Sequence, residues 1–107
     1  MASGKDYLEY ILDQLSALEG IEYRAMMGEF ILYYRRKIFG GIYDDRLLIK
    51  PVKSALALLP QAPFELPYEG AKPMLLVEET DNREFLTALV EAMYDELPAP
   101  KIKKGKG

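Results

Sequence analysis

RAMMGEFILYYRRKIFGGIYDDRLLIK, residues 24–50, is the stretch whose reading decides the fold. β-branched and aromatic residues dominate it, and short polar or glycine-containing breaks divide it, as consecutive strands require. Just before it, Glu22 begins an alternating pattern in which Tyr23, Ala25 and Met27 share one face, with Glu22 and Arg24 on the other. A glycine inside a strand pattern commonly marks a bend, so Gly28-Glu29 is read as a bend within one long strand, continuing through Phe30, Ile31, Leu32, Tyr33 and Tyr34. Arg35-Arg36-Lys37 then makes a turn, Ile38 to Tyr43 returns, Asp44-Asp45 turns again, and Arg46 to Lys50 closes a three-strand meander. Aspartates suit such turns because they bond locally and tolerate unusual backbone angles.

The flanks supply what this sheet needs to bury one face. Upstream, Tyr7, Leu8, Ile11, Leu12, Leu15 and Leu18 recur at helical spacing, which predicts an amphipathic helix of about four turns. Ser3 and Asp6 have the spacing of an N-terminal cap, and Gly20 can take positive φ past the helix end. Downstream, Pro51 ends the third strand, and residues 52–59 predict two helical turns. Pro60, Pro63 and Pro67 exclude a central strand there, which leaves Phe64 to Tyr68 as a short edge strand. PMLLVEE, residues 73–79, is a further strand. Asp81 and Glu84 have capping-box spacing before a last helix whose stripe runs through Phe85, Leu86, Leu89, Val90, Met93 and Leu97.

The expected fold is therefore α+β: an antiparallel sheet of about five strands flanked by N- and C-terminal helices. The order is helix, three strands, a short helix, two strands, helix. A chain of 107 residues is expected to be one domain, here over residues 1–100, with residues 101–107 as a disordered lysine-rich tail.

Composition narrows the function classes. The chain has no cysteine and no histidine, so thiolate chemistry, disulfides and the usual general base near neutral pH are absent. No P-loop, dinucleotide fingerprint or nucleophile elbow occurs. The carboxylate pairs Asp44-Asp45 and Glu78-Glu79 read as turn and solvated surface, and no dedicated metal site or cofactor is expected. No apolar run is long enough to span a bilayer, and the first ten residues lack the apolar core of a secretory signal, so a cytoplasmic non-enzymatic protein is expected.

The net charge of −3 conceals a blockwise partition. Residues 23–53 carry seven basic and three acidic side chains, whereas residues 54–100 carry two basic and nine acidic ones. Within the basic block, Arg24, Arg35, Arg36, Lys37, Arg46 and Lys50 are interleaved with Tyr33, Tyr34 and Tyr43, and these nine residues form the candidate partner-binding surface. Cations among aromatics suit an acidic protein partner or the phosphates and bases of nucleic acid, and the lysine tail would add to the second. An acidic pI of about 5.0 weighs against nucleic acid. A solvated outer sheet face held by cross-strand pairs accounts for the same residues without any ligand. An exposed edge strand also offers a route to a homodimer.

Once these residues are set in order, the chain resembles the TfoX (Sxy) N-terminal domain family. The resemblance rests on Arg24, Met26-Met27-Gly28-Glu29, Ile31-Leu32-Tyr33-Tyr34, the turn at Arg35-Arg36-Lys37, Phe39-Gly40 and Asp45-Arg46-Leu47-Leu48-Ile49-Lys50. It departs from the family pattern at Glu29, where a second glycine is usual, and at Met27, where an aromatic is usual. Longer members continue into a helical C-terminal domain. The resemblance implies an α+β fold similar to secretion-chaperone-like domains. It also implies a transcriptional co-regulator, tied to natural competence, that contacts another regulator or DNA, with no catalytic residues or cofactor.

Overall fold

A computed structural model describes residues 4–99, so the Ser3 cap and the 101–107 tail lie outside the described residues. In chain order the elements are α1 (Lys5–Gln14), β1 (Ile21–Met26), β2 (Glu29–Tyr34), β3 (Lys37–Tyr43) and β4 (Arg46–Ile49). They are followed by α2 (Lys53–Leu58), β5 (Phe64–Glu65), β6 (Met74–Val77), α3 (Arg83–Met93) and a 3₁₀ turn at Tyr94–Glu96. All six strands join one antiparallel sheet in the order β1-β2-β3-β4-β6-β5. The α+β class, with helices at both ends of the chain, is as the sequence predicts. The strand count is one higher.

The additional strand comes from Met27-Gly28. Its φ values of 52° and 85° make a two-residue hairpin turn, not a bend, and β1 folds back on β2 with Met26 opposite Glu29. Two positive φ values in succession define the type I′ turn, whose twist matches that of paired strands. The same device closes the next two hairpins, with φ of 50° and 74° at Arg35 and Arg36 and 56° and 57° at Asp44 and Asp45. Lys37, expected in the turn, is instead the first residue of β3, opposite Tyr34.

Alternation then sorts the faces. Phe30, Leu32, Ile42, Leu47, Ile49, Leu75 and Val77 point inward and pack with Leu8, Ile11, Ala55, Leu86, Leu89 and Met93 of the three helices. A bulge interrupts β3: Leu32 lies opposite Gly40 and Tyr33 opposite Ile38, so Phe39 has no opposite residue and its ring lies in the core. Gly40 allows β4 to come close, since a Cβ there would stand 2.2 Å from the Leu48 carbonyl oxygen. At Gly41 a Cβ would meet the Phe30 carbonyl oxygen and the Tyr43 ring, each at 2.7 Å. Backbone packing and a covering aromatic account for both glycines, the structural alternative to a ligand cradle.

Helix α1 is shorter than its apolar stripe. It ends at Gln14, and residues 15–18 continue in tight turns with Ser16 N–H bonding Asp13 and Leu18 N–H bonding Leu15. Leu15 and Leu18 still reach the core. Gln14 is buried and donates from Nε2 to the Thr80 carbonyl at 2.8 Å, which anchors the helix end. The helix starts are capped in ways that local spacing does not reveal. Asp45 accepts from the Gly4 N–H at 2.8 Å, and Glu96 accepts from the Ser54 N–H at 2.7 Å and its hydroxyl at 3.0 Å. On α3 the cap is Asn82, not Asp81, and it accepts from the Phe85 N–H at 3.0 Å. No helix among the described residues is long and apolar enough to cross a membrane.

Candidate functional site

The fold separates the basic, tyrosine-rich block into three groups. The first is structural. Tyr34 is 4% exposed, so it is a core residue and not part of a binding surface. Its ring meets the Tyr94 ring edge-on, with centroids 5.4 Å apart. Lys37 Nζ lies 4.2 Å from the centre of the Tyr94 ring and donates to the Tyr94 carbonyl at 3.1 Å. The Arg35 guanidinium sits 5.4 Å from the Tyr34 ring centre and 6.0 Å from that of Tyr94. Cation–π contacts of this kind are worth about 0.5–1 kcal/mol each at exposed sites. Together they tie the β2–β3 hairpin tip to the 3₁₀ turn.

The second group lies across the outer face, around Tyr43, Arg46 and Lys50. Arg46 bonds the Glu65 carboxylate, the Leu66 carbonyl and the Tyr43 carbonyl, so its charge is engaged. These bonds hold down the chain after β5. The Tyr68 ring reaches Tyr43, with centroids 6.4 Å apart, and Leu48 beneath is fully buried although it points away from the helices. Lys50, Tyr43 and Tyr68 line a concavity of about 650 Å³ there. Burial, then the neighbouring Tyr68 and Glu29, raise the Tyr43 hydroxyl above the ordinary tyrosine pKa. Tyr7, half-buried beside Thr80 and Tyr10, is raised too, chiefly by desolvation.

The third group remains open. Arg24 projects from β1, Tyr33 from β2 and Arg36 from the hairpin tip, and they line a shallow groove of about 770 Å³ with Glu22, Tyr23 and Leu12. Register explains the meeting: Glu22 lies opposite Tyr33 and Arg24 opposite Ile31, so the four side chains share the outer face. Among the described residues neither Arg24 nor Arg36 forms a salt bridge. Arg36 also keeps an L-residue in the left-handed region, φ 74°, at a site where glycine or asparagine would be unstrained. Glu22, Tyr23 and Leu12 were not singled out by the sequence reading. Leu12 reads as core stripe, and the approach of Arg36 to β1 depends on the unexpected hairpin.

No residue in this groove has the buried, paired environment that tunes a carboxylate or lysine for acid–base work. Among the described residues no three carboxylates gather as a metal site would need. What the groove offers is Arg24 and Arg36, neither in a salt bridge among the described residues, beside Leu12, Tyr23 and Tyr33 around the free edge of β1.

Comparison with known proteins agrees with this architecture. No solved structure matches the chain. It is 31% identical over 110 residues to an uncharacterised 12.7 kDa protein in the trpE 5′ region of Spirochaeta aurantia, with 99% of this chain and 93% of that one covered. The model of the TfoX N-terminal domain matches residues 13–96, from the end of α1 to the final 3₁₀ turn. The chain thus belongs to the TfoX N-terminal domain family, a family of regulatory, non-enzymatic domains.

Proposed function

We propose that this protein is a regulatory adaptor in transcription, tied by family to bacterial competence, that works by binding an acidic surface of a protein partner. The observation that carries the reading is the unpaired, strained Arg36 beside Tyr33 at the rim of the β1–β2 groove. A turn selected for stability alone would carry glycine or asparagine there. Guanidinium and tyrosine side chains are the residue types that most often anchor protein interfaces. Arg24 lines the same groove from β1. Arg35, Lys37, Arg46 and Tyr34 belong to the fold by their contacts, so the binding surface is smaller than the nine residues the sequence suggests. The separation of the cations also argues against a continuous phosphate track, which is why a protein partner is favoured over nucleic acid.

The test is capture from nuclease-treated host lysate by the intact protein and by Arg36→Glu. A defined protein held by the intact chain and lost by the reversal, with thermal stability within a few degrees of the parent, is the expected result. Retention of that protein by the reversal variant refutes the assignment of the surface. Recovery of nucleic acid only, with affinity falling steeply as salt is added, replaces the protein partner with nucleic acid.

A further inference from the structure

The two edges of the sheet are treated differently. At one end β5 has two residues between Pro63 and Pro67, and its free side is short and broken. Prolines and short length are standard protection against edge pairing. At the other end β1 has six residues, no proline, no lysine and no bulge, and it is exposed along nearly its whole length. Among the described residues nothing pairs with its outer side.

The register fixes which backbone groups face outward. Met26 and Glu29 flank a two-residue turn and exchange hydrogen bonds, and alternation gives the same role to the Arg24–Ile31 and Glu22–Tyr33 pairs. The bond from the Arg35 N–H to the Gly20 carbonyl, 2.9 Å, continues that series. The N–H and C=O groups of Ile21, Tyr23 and Ala25 therefore point away from the sheet.

A second β1 running antiparallel can place these three residues opposite their counterparts in three registers with substantial overlap. Centring the two-fold axis on residue 22 puts Glu22 against Glu22, and centring it on residue 24 puts Arg24 against Arg24. Like charges directly opposite are destabilising. Centring it on Tyr23 is the register that pairs all three outward-facing residues, 21, 23 and 25, within the two strands. It sets Glu22 against the partner's Arg24 and Arg24 against the partner's Glu22, with Tyr23 meeting its own copy and Ile21 meeting the partner's Ala25. Each of the outward-facing pairs then exchanges two backbone hydrogen bonds. The contact is isologous, as a closed dimer requires.

We infer that β1 is the dimer edge of this protein: two copies pair antiparallel about Tyr23 through reciprocal Glu22–Arg24 contacts, making one continuous sheet. This does not depend on the partner-binding proposal. Arg24 is engaged by the second copy, while Tyr33 and Arg36 of both copies stay on the common outer face.

Sedimentation velocity over a protein concentration series tests it with four chains: the parent, Glu22→Arg, Arg24→Glu, and the double swap Glu22→Arg with Arg24→Glu. All substitutions are on exposed positions, and circular dichroism checks that each variant folds. The parent is expected to show a concentration-dependent dimer. Each single reversal, which creates two like-charge contacts, weakens it by about tenfold. The double swap, which restores opposite charges, restores it. A monomeric parent at every concentration overturns the proposal. So does a single reversal that dimerises like the parent, or a double swap that stays as weak as the singles.

Discussion

Replacing Arg36 with glycine should make this protein more stable while removing a side chain assigned to its function. Arg36 sits at the second central position of the β2–β3 turn with φ 74°, where an L-residue is strained by about 1–2 kcal/mol. Glycine takes that conformation freely, but it loses more entropy on folding, by about 0.5–1 kcal/mol relative to alanine. The Arg36 side chain is exposed, and among the described residues it has no hydrogen bond or ion pair to lose. The difference favours Arg36→Gly by about 0.5–1 kcal/mol, which for a domain of this size raises Tm by roughly 3–6 °C. Arg36→Ala keeps the strain and stays near the parent, so it is the control. Thermal melts and urea titrations of the three chains supply the measurement, with the urea midpoint rising at constant m for the glycine variant. A glycine variant no more stable than the alanine one would falsify the claim that strain is stored at this turn. It would also remove the reason for singling out Arg36 as kept for something other than folding.

Two further outcomes follow from contacts described above. Gly40→Ala forces a Cβ to within 2.2 Å of the Leu48 carbonyl oxygen, a backbone atom that cannot turn aside. A loss of about 3 kcal/mol is expected, seen as a fall in Tm of roughly 12 °C or more; a variant melting within a few degrees of the parent contradicts the close approach of β3 and β4. Tyr7 and Tyr43 have pKa values raised in the folded state, mainly by burial. Their contribution is complete below the unfolded-state value of ~10 and is lost as pH rises through the raised folded-state values, because the unfolded chain gives up those protons first. Urea titrations at rising alkaline pH should show that decline, and Tyr7→Phe with Tyr43→Phe should flatten it; an equally steep decline in the double variant assigns the loss to other groups.

The helix stripes and the core were legible because they repeat. Leu8, Ile11, Leu86, Leu89 and Met93 declare a buried face by spacing alone. The β1–β2 hairpin was hidden for two physical reasons. Met27-Gly28 lacks the asparagine or aspartate that usually marks a type I′ turn, and β1 is almost wholly exposed, so it has no buried face to alternate with. Beyond the turn, Ile31 and Tyr33 on the outer face are as apolar as Phe30 and Leu32 on the inner one, and the period is blurred. The candidate site was legible only as a list of cations. Lys37 and Arg36 are adjacent in sequence and equally charged. One is held by Tyr94, fifty-seven residues away, and the other projects into a groove. The same distance hides the caps: Asp45 and Glu96 serve helices to which they are not neighbours.

The order of strands also has a kinetic consequence. From β1 to β4 every pairing is between chain neighbours across two-residue turns, so four of the six strands can pair without closing any long loop. The pairing of β4 with β6 is different, because residues 50–73 must first be gathered into a loop that includes α2 and the edge strand. Loop entropy opposes that step and leaves the hairpins untouched. The meander is thus the natural place for the chain to begin, and closure of β6 onto β4, which brings Leu75 and Val77 into the core, is the step that carries the loop entropy.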